Sequence, residues 1–238
     1  MAIKKNILDK LWVSDFIRLF FPNACYACGR ALIEQEEVIC TDCYFKLPKT
    51  GFHVHQENII SQIFWGRIQI HSATSFLFFN KGGHVQRIMH ALKYRGHKEV
   101  GLYMGKLFGQ TLKECSLFSV ADIIVPVPLH PKKQYKRGFN QSEVIAKGME
   151  MSLGIPVSDN NLIREAHTTS QTKKARYNRW ENVKGVFRVQ NSEEFSGKHL
   201  ILIDDVLTTG ATLEACAQPL LEIPDTKLSV ATLAYAQV

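Results

Sequence analysis

Two adjacent aspartates followed by a Thr/Gly-rich turn stand out in this 238-residue sequence. Residues 200–212, LILIDDVLTTGAT, predict a buried strand that delivers Asp204 and Asp205, then a turn and the start of a helix. Ligands of open α/β sheets bind at the carboxyl ends of strands, where these residues fall. Ionised carboxylates only accept hydrogen bonds, so the two aspartates suit a vicinal diol such as that of ribose.

The turn after the aspartates suits a phosphate. Backbone N–H groups and hydroxyls at a helix N-terminus bind phosphate, and five consecutive residues offer them here: Thr208, Thr209, Gly210, Ala211 and Thr212. The stretch contains neither the GK[ST] sequence of a P-loop nor G-x-G-x-x-G. The acid pair and the turn together predict a ribose 5-phosphate site. The alternatives are an aspartate pair that coordinates a metal and a turn that holds no ligand.

Four of the six cysteines form two Cys-x-x-Cys pairs, the spacing of zinc ligands. The pairs are Cys25 with Cys28 and Cys40 with Cys43. Each pair can place two thiolates on one side of a tight turn, and Gly29 leaves the backbone free to take a positive φ. Four thiolates fill a tetrahedron, so the sequence predicts a structural zinc site with no open position for catalysis. The alternative is four reduced cysteines that are near one another by chance.

The composition excludes several classes of protein. Apolar residues make up 45% of the chain and charged residues 21%, which excludes collagen, low-complexity disorder and a disulfide-stabilised miniprotein. No uncharged apolar run approaches the length of about 18 residues that indicates a membrane span. Charged residues interrupt the apolar positions near the N-terminus, which argues against a signal peptide. We therefore expect a cytoplasmic location.

The net charge of +7, from 29 Lys and Arg against 22 Asp and Glu, is unevenly distributed. Basic residues dominate 81–148 and 164–188, whereas acidic residues dominate 189–238. A basic middle suits a polyanion, either phosphate or nucleic acid, and a solvated basic surface is the alternative. Aromatic residues that could stack on single-stranded bases lie among the cations: Tyr135, Phe139, Tyr177 and Trp180. For Phe139 and Trp180, packing in the core is the competing interpretation.

Strands that alternate with helices predict an α/β fold in which a parallel sheet is flanked by helices. The predicted strands span 74–79, 121–127, 199–204 and 227–235, with a further strand near 185–189. The predicted helices span 84–94, 98–114, 140–153 and 211–222. The chain thus divides into an N-terminal amphipathic helix within 1–22, a zinc-binding module over 23–50 and an α/β domain over 74–238.

Three motifs resemble those of known families. IDDVLTTGAT resembles the phosphoribosyl pyrophosphate (PRPP) motif of type I phosphoribosyltransferases. Residues 124–141, IVPVPLHPKKQYKRGFNQ, resemble the VPVPLH…RGFNQ signature of the ComF family of competence-associated proteins. That family's T-x-x-Q…R-x-x-N…F stretch is matched by Thr168, Gln171, Arg179, Asn182 and Phe187. Together with the double CxxC, the chain is identified as a member of the ComF family, a type I phosphoribosyltransferase-like fold with a small zinc module.

The resemblance implies a role for each group of residues. Asp204 and Asp205 would hold the ribose hydroxyls, and residues 208–212 the 5-phosphate. The loop facing pyrophosphate would consist of Val127, Pro128, Leu129 and His130, with charge from Lys132, Arg137, Lys93 and Arg95. Residues 165–183 would form a mobile hood that brings Lys173, Lys174, Arg176 and Arg179 to the site. The catalytic set would be Asp204, Asp205, Lys173, Arg176 and Arg179.

Two functions follow from the resemblance. The first is an enzyme that transfers phosphoribosyl from PRPP, bound with Mg²⁺, to an unidentified acceptor and releases pyrophosphate. The second is a DNA-uptake factor that binds single-stranded DNA, with PRPP as a ligand or regulator. Its protein partners would be a competence helicase or other DNA-uptake proteins. The complete acid pair and phosphate loop favour the first, and the family's link to competence favours the second.

Overall fold

The computed structural model describes residues 23–94, 96–165 and 186–237. It divides the chain into two compact units, one up to Leu47 and one from Pro48 onward. The predicted helix within 1–22 lies outside the described residues, as does the predicted hood beyond Glu165. In the described ranges, no helix is long and apolar enough to cross a bilayer.

The first unit is built around the four cysteines. A turn over 26–28 leads to Gly29, whose φ of 82° is the positive value expected after Cys28. Helix α1 (Thr41–Phe45) begins directly after Cys40. The first Cys-x-x-Cys pair therefore lies on a tight turn, as the spacing predicts, whereas the second pair spans the start of α1, with Cys43 inside the helix.

The second unit contains a four-stranded parallel sheet in the order β1-β6-β5-β2. Its strands are β1 (Ser72–Phe79), β2 (Ile123–Pro126), β5 (His199–Leu207) and β6 (Lys227–Ala236). The central strands β5 and β6 are buried along most of their length, because both faces of a parallel sheet are covered. The prediction of a parallel α/β sheet is confirmed.

Helices flank this sheet. They are α3 (His84–Tyr94), α4 (Lys98–Lys113), α5 (Ser116–Ser119), α6 (Pro131–Arg137), α7 (Gln141–Leu153) and α8 (Ala211–Leu221). Helices α4 and α7 pack against each other at backbone distance. A Cβ placed on Gly105 of α4 would overlap the carbonyl oxygen of Ile145, so only glycine permits this approach. The sequence predicted all of these helices except the short α5 and α6.

The segment before β1, which has no clear periodicity in sequence, forms part of the core. A 3₁₀ turn (Phe52–Val54) leads to helix α2 (Ile59–Gln62). Asn58 caps α2 through a reciprocal capping box with Ser61 and also donates to the carbonyl oxygen of Ala73 at 2.8 Å. Ile60 and Phe64 are fully buried in the cluster formed with α8 and β5. The segment thus anchors to β1 through hydrogen bonds rather than through a visible apolar repeat.

The strand expected near 185–189 does not join the parallel sheet. It is β4 (Phe187–Val189), which pairs in antiparallel fashion with β3 (Leu162–Arg164) in a separate two-stranded sheet. The sequence analysis missed β3 because three residues are too few to show alternation. The predicted strand was therefore located correctly but assigned to the wrong sheet.

Candidate active site

The acid pair lies near the carboxyl end of β5, as expected for a ligand site in this class of sheet. Oδ1 of Asp204 accepts hydrogen bonds from the Oγ of Ser142 and from the backbone N–H of Asp205, each at 2.8 Å. Oδ2 of Asp205 lies 2.9 Å from Nζ of Lys93. Burial, and then the charge of Asp205, raise the pKa of Asp204 to about 7. The net charge of the acid pair therefore changes near neutral pH, when Asp204 gains or loses a proton or when a cation binds.

The predicted phosphate loop lines a small cleft together with Asp204. Thr208, Thr209, Ala211 and Thr212 are exposed, whereas Gly210 is buried and has a φ of 78°. Helix α8 begins at Ala211, and no side chain accepts a hydrogen bond from its first turn in the described residues. The first N–H groups of a helix lack partners within the helix, so those of α8 can donate to a phosphate.

Arg67, which lies far upstream of the phosphate loop in the sequence, contacts both that loop and α8. Its Nη1 donates to the carbonyl oxygen of Thr209 at 2.9 Å, and its Nη2 pairs with the carboxylate of Glu214 in α8. Phe64 lies close behind Gly210, so that a Cβ there would sit 3.0 Å from its ring. The sequence analysis missed Arg67, because nothing in its local pattern signals contacts with residues more than a hundred positions later.

The loop predicted to face pyrophosphate adjoins β5. The N–H of Val127 donates to the carbonyl oxygen of Ile203 at 2.9 Å, and the Nδ2 of Asn140 donates to the carbonyl oxygen of Val127 at 2.9 Å. His130 caps α6, its Nδ1 accepting from the N–H of Lys132 at 3.2 Å, and Pro131 occupies the first helical position. The loop therefore runs from the edge of the acid pair to a short basic helix.

A basic cleft with a volume of about 450 Å³ lies next to the acid pair. It is lined by Lys93, Tyr94, Gly96, Lys133, Lys136 and Arg137. Arg137 donates to the Oε1 of Gln141 at 2.7 Å, and its guanidinium lies 5.7 Å from the centre of the Tyr94 ring. Because Lys93 lines this cleft and also pairs with Asp205, it joins the basic cleft to the acid pair.

Several predicted site residues fall elsewhere. Lys132 is exposed but does not line the basic cleft. Phe139 is 7% exposed, so the core-packing interpretation holds for it, while Tyr135 is 93% exposed. Other predicted residues lie outside the described part of the chain: Arg95, Lys173, Lys174, Arg176, Arg179, Tyr177 and Trp180.

The four paired cysteines form one cluster, with all four sulfur atoms within 4.8 Å of one another. Sγ of Cys28 and Sγ of Cys40 are 3.7 Å apart. Tetrahedral zinc with bonds of about 2.3 Å places its sulfurs about 3.8 Å apart, so the cluster could hold zinc. Burial opposes ionisation of Cys40, but hydrogen bonds from the Cys43 amide and from Arg30 lower the pKa of Cys40 to about 6. The surroundings thus favour the thiolate form of Cys40, whereas burial raises the pKa of Cys43, whose thiolate would need the metal for its stabilisation.

Comparison with known proteins agrees with this geometry. Residues 137–237 match the family described as "Phosphoribosyl transferase domain". The chain is 30% identical over 137 residues to the DNA utilization protein YhgH of Salmonella typhimurium, covering 56% of this chain and 60% of that protein. It is 32% identical over 125 residues to competence protein F of Haemophilus influenzae, covering 52% and 55%. The chain thus spans little more than half the length of these relatives.

A longer match joins the chain to competence protein ComFC of Bacillus subtilis, at 27% identity over 205 residues, covering 80% of this chain and 81% of that protein. Among solved structures, the glutamine PRPP amidotransferase of B. subtilis is similar with a TM-score of 0.42 and 20% identity, over 60% of this chain and 30% of that one.

The parallel sheet and the family match define a type I phosphoribosyltransferase-like domain, accompanied by a cysteine cluster that fits a zinc module. Its homologues include competence proteins and a DNA utilization protein, in agreement with the resemblance to the ComF family that the sequence motifs indicated.

Proposed function

We propose that this chain binds PRPP and transfers its phosphoribosyl group to an acceptor nucleophile. The observation that carries the proposal is the convergence of three subsites on the end of β5: the acid pair, the phosphate loop and the basic cleft. Asp204 and Asp205 would accept the ribose hydroxyls, residues 208–212 would bind the 5-phosphate, and the basic cleft with Val127–His130 would hold pyrophosphate.

In the transfer, the bond between C1 and the pyrophosphate oxygen breaks, and the bonding electrons leave with pyrophosphate. The acceptor then bonds to C1 and loses its proton. Positive charge that develops on the sugar lies near the carboxylates, and negative charge on the leaving group lies near Lys133, Lys136 and Arg137. Mg²⁺ would enter with PRPP and would neutralise charge on the leaving group when bound. Lys173, Arg176 and Arg179 remain proposed contributors from the hood.

Calorimetric titration of PRPP with Mg²⁺ tests the proposal. We expect micromolar binding by the wild type and its loss in the double variant Asp204→Asn/Asp205→Asn. The matched control is Asp159→Asn, which removes an exposed carboxylate that pairs with Lys147. Absence of binding by folded, zinc-loaded wild type would overturn the proposal. Binding without pyrophosphate release on any acceptor would reduce it to a PRPP-binding role.

A second candidate, binding of single-stranded DNA, is favoured by two exposed aromatic rings, Tyr94 in the lining of the basic cleft and Tyr135 on α6. Tyr94 is 67% exposed and Tyr135 is 93% exposed, and both accompany the cations of α6. Exposed rings beside a basic groove suit stacked bases. This role would connect the chain to DNA-uptake partners such as a competence helicase, in keeping with the names of its relatives.

The DNA-binding candidate predicts that affinity for an oligothymidine strand falls steeply with salt. Tyr135→Ala should weaken that binding, whereas Tyr44→Ala, on the cysteine unit, serves as the matched aromatic control. Equal binding by wild type and Tyr135→Ala would contradict a stacking role for this ring.

The proposal also includes zinc as a structural metal and a cytoplasmic location, where thiolates stay reduced. The division into a helix within 1–22, a zinc module over 23–50 and a transferase domain over 74–238 belongs to the same proposal. Residues 51–71, which this division leaves unassigned, would then be part of the larger domain, because Arg67 and Phe64 support its phosphate loop.

A further inference from the structure

Lys93 stands at the junction of two subsites that one PRPP molecule would occupy together. Its Nζ lies 2.9 Å from Oδ2 of Asp205, and the two side chains are only 22% and 15% exposed. The same lysine lines the basic cleft with Lys133, Lys136 and Arg137. In the described residues, no other cation forms an ion pair with the acid pair.

The ion pair with Lys93 makes the carboxylate of Asp205 a weaker hydrogen-bond acceptor for a sugar hydroxyl. A hydroxyl gains most from a carboxylate that carries its full charge, whereas an ammonium at 2.9 Å neutralises that charge and occupies one oxygen. Asp204 has only its Oδ2 left for the sugar, because its Oδ1 already accepts from Ser142 and from the Asp205 amide. With Lys93 on Asp205, the acid pair therefore offers ribose less negative charge and fewer acceptor oxygens than two separate carboxylates would.

The basic cleft offers Lys93 a competing partner once pyrophosphate is present. Lysine carries its charge on a flexible four-carbon stem, so its ammonium can turn between neighbouring anions. Pyrophosphate brings several negative charges to a cleft that already holds three other cations. The attraction of Lys93 to that charge would leave Asp205 free to accept a ribose hydroxyl.

We propose that Lys93 is a specificity-determining residue that blocks Asp205 until the pyrophosphate end of the ligand draws it into the basic cleft. This inference rests on the proposed function, since it assigns ribose to the acid pair. By it, the site discriminates intact PRPP from ribose 5-phosphate, which lacks the pyrophosphate that moves the lysine.

The test uses ribose 5-phosphate and pyrophosphate as separate probes, each titrated with Mg²⁺ at pH 8. We expect Lys93→Met to bind ribose 5-phosphate about tenfold more tightly than the wild type and pyrophosphate about tenfold less tightly. Methionine keeps the apolar stem of the lysine and removes the charge. Lys136→Met should weaken the binding of pyrophosphate and leave that of ribose 5-phosphate unchanged. Lys147→Met removes a lysine that pairs with Glu143 within α7, and it should change neither affinity.

The opposite signs make the outcomes separable. If Lys93→Met binds ribose 5-phosphate with unchanged or weaker affinity, the inference is overturned while the proposed function stands. If the wild type binds neither probe nor PRPP, the proposed function fails and takes the inference with it. Should Lys93→Met fold poorly, Lys93→Gln makes the same prediction, and Lys93→Arg should retain the weak wild-type binding of ribose 5-phosphate.

Discussion

The Oγ of Ser142 lies 2.8 Å from Oδ1 of Asp204, which ties the first turn of α7 to the carboxyl end of β5. This hydrogen bond stabilises the ionised form of a carboxyl whose pKa is otherwise raised by burial and by Asp205. Ser142 therefore helps to set the pH at which the acid pair carries its full charge.

Ser142→Ala should move the pH dependence of PRPP binding to higher pH. Loss of a hydrogen bond to the carboxylate raises the pKa of Asp204 further. The midpoint of the pH dependence of PRPP affinity should therefore lie about one pH unit higher than in the wild type. Titrations of PRPP between pH 6 and 9 measure this midpoint. Ser152→Ala, which removes a hydroxyl that donates only to backbone carbonyls, should leave the midpoint unchanged. Identical midpoints for Ser142→Ala and the wild type would refute the role of Ser142.

Gly210→Ala should lower the free energy of unfolding by more than the cost of its left-handed backbone conformation. A left-handed φ costs a non-glycine residue about 1 kcal/mol, and the new Cβ would also crowd the Phe64 ring at 3.0 Å. Gly154 has a similar φ of 74° but open space around it, so Gly154→Ala isolates the backbone cost. We expect urea unfolding to show a larger loss for Gly210→Ala, together with weaker binding of ribose 5-phosphate. Equal losses in both variants would exclude crowding by Phe64.

His199 should make the protein sensitive to acid. It is 6% exposed, and its Nε2 lies 2.7 Å from the Oγ of Ser229. Burial, and then the charges of Lys227 and His71, lower the pKa of His199 from 6.5 to about 4. Between these values the unfolded chain binds more protons than the folded one, so stability falls as the pH falls through this range. The loss amounts to about 2 kcal/mol at pH 5 relative to pH 7.5.

Urea unfolding at pH 7.5 and pH 5 measures this loss directly. His199→Gln, which retains a hydrogen-bonding side chain without the titration, should show a smaller difference between the two pH values. His55→Gln replaces an exposed histidine and should behave as the wild type does. A wild-type difference that persists in His199→Gln would assign the acid sensitivity to other groups.

Zinc should depend on each of the four clustered cysteines. Cys40→Ser removes the thiol that Arg30 contacts at 3.4 Å and should abolish binding of one equivalent of zinc, measured by native mass spectrometry. Cys115→Ser is the matched control, because Cys115 lies outside the cluster and donates to the carbonyl oxygen of His53. Full zinc loading of Cys40→Ser would exclude the four-thiolate site.

Local sequence patterns were sufficient to predict those elements whose residues follow a regular spacing within one short segment. The apolar run at Leu200–Ile203 and the aspartates after it identify β5 and its ligand-facing end, because a buried parallel strand needs no partner to be recognised. The cysteine spacing likewise predicts the cluster, since both pairs are local. The strand at 187–189 was detected for the same reason, although pairing partners cannot be read from one strand.

The contacts that complete the candidate site were not predictable in this way. Ser142 with Asp204, Lys93 with Asp205 and Arg67 with Thr209 each join residues far apart in the chain. Such contacts depend on how helices pack on the sheet, and a single sequence carries no signal for that packing. The segment before β1 was missed for a related reason, because hydrogen bonds from Asn58 replace an apolar repeat as its anchor.

The backbone contact between α4 and α7 limits how the site can adapt to a ligand. With Gly105 against the Ile145 carbonyl and Gly148 against that of Leu102, α7 has no free space in which to shift toward α4. The helix that delivers Ser142 to Asp204 is thereby a fixed wall of the ligand site. Adjustments to different sugars or leaving groups must come from side chains on other elements, so variation in ligand choice among relatives should map to cleft residues such as Lys93 and Lys136 rather than to the backbone of α7.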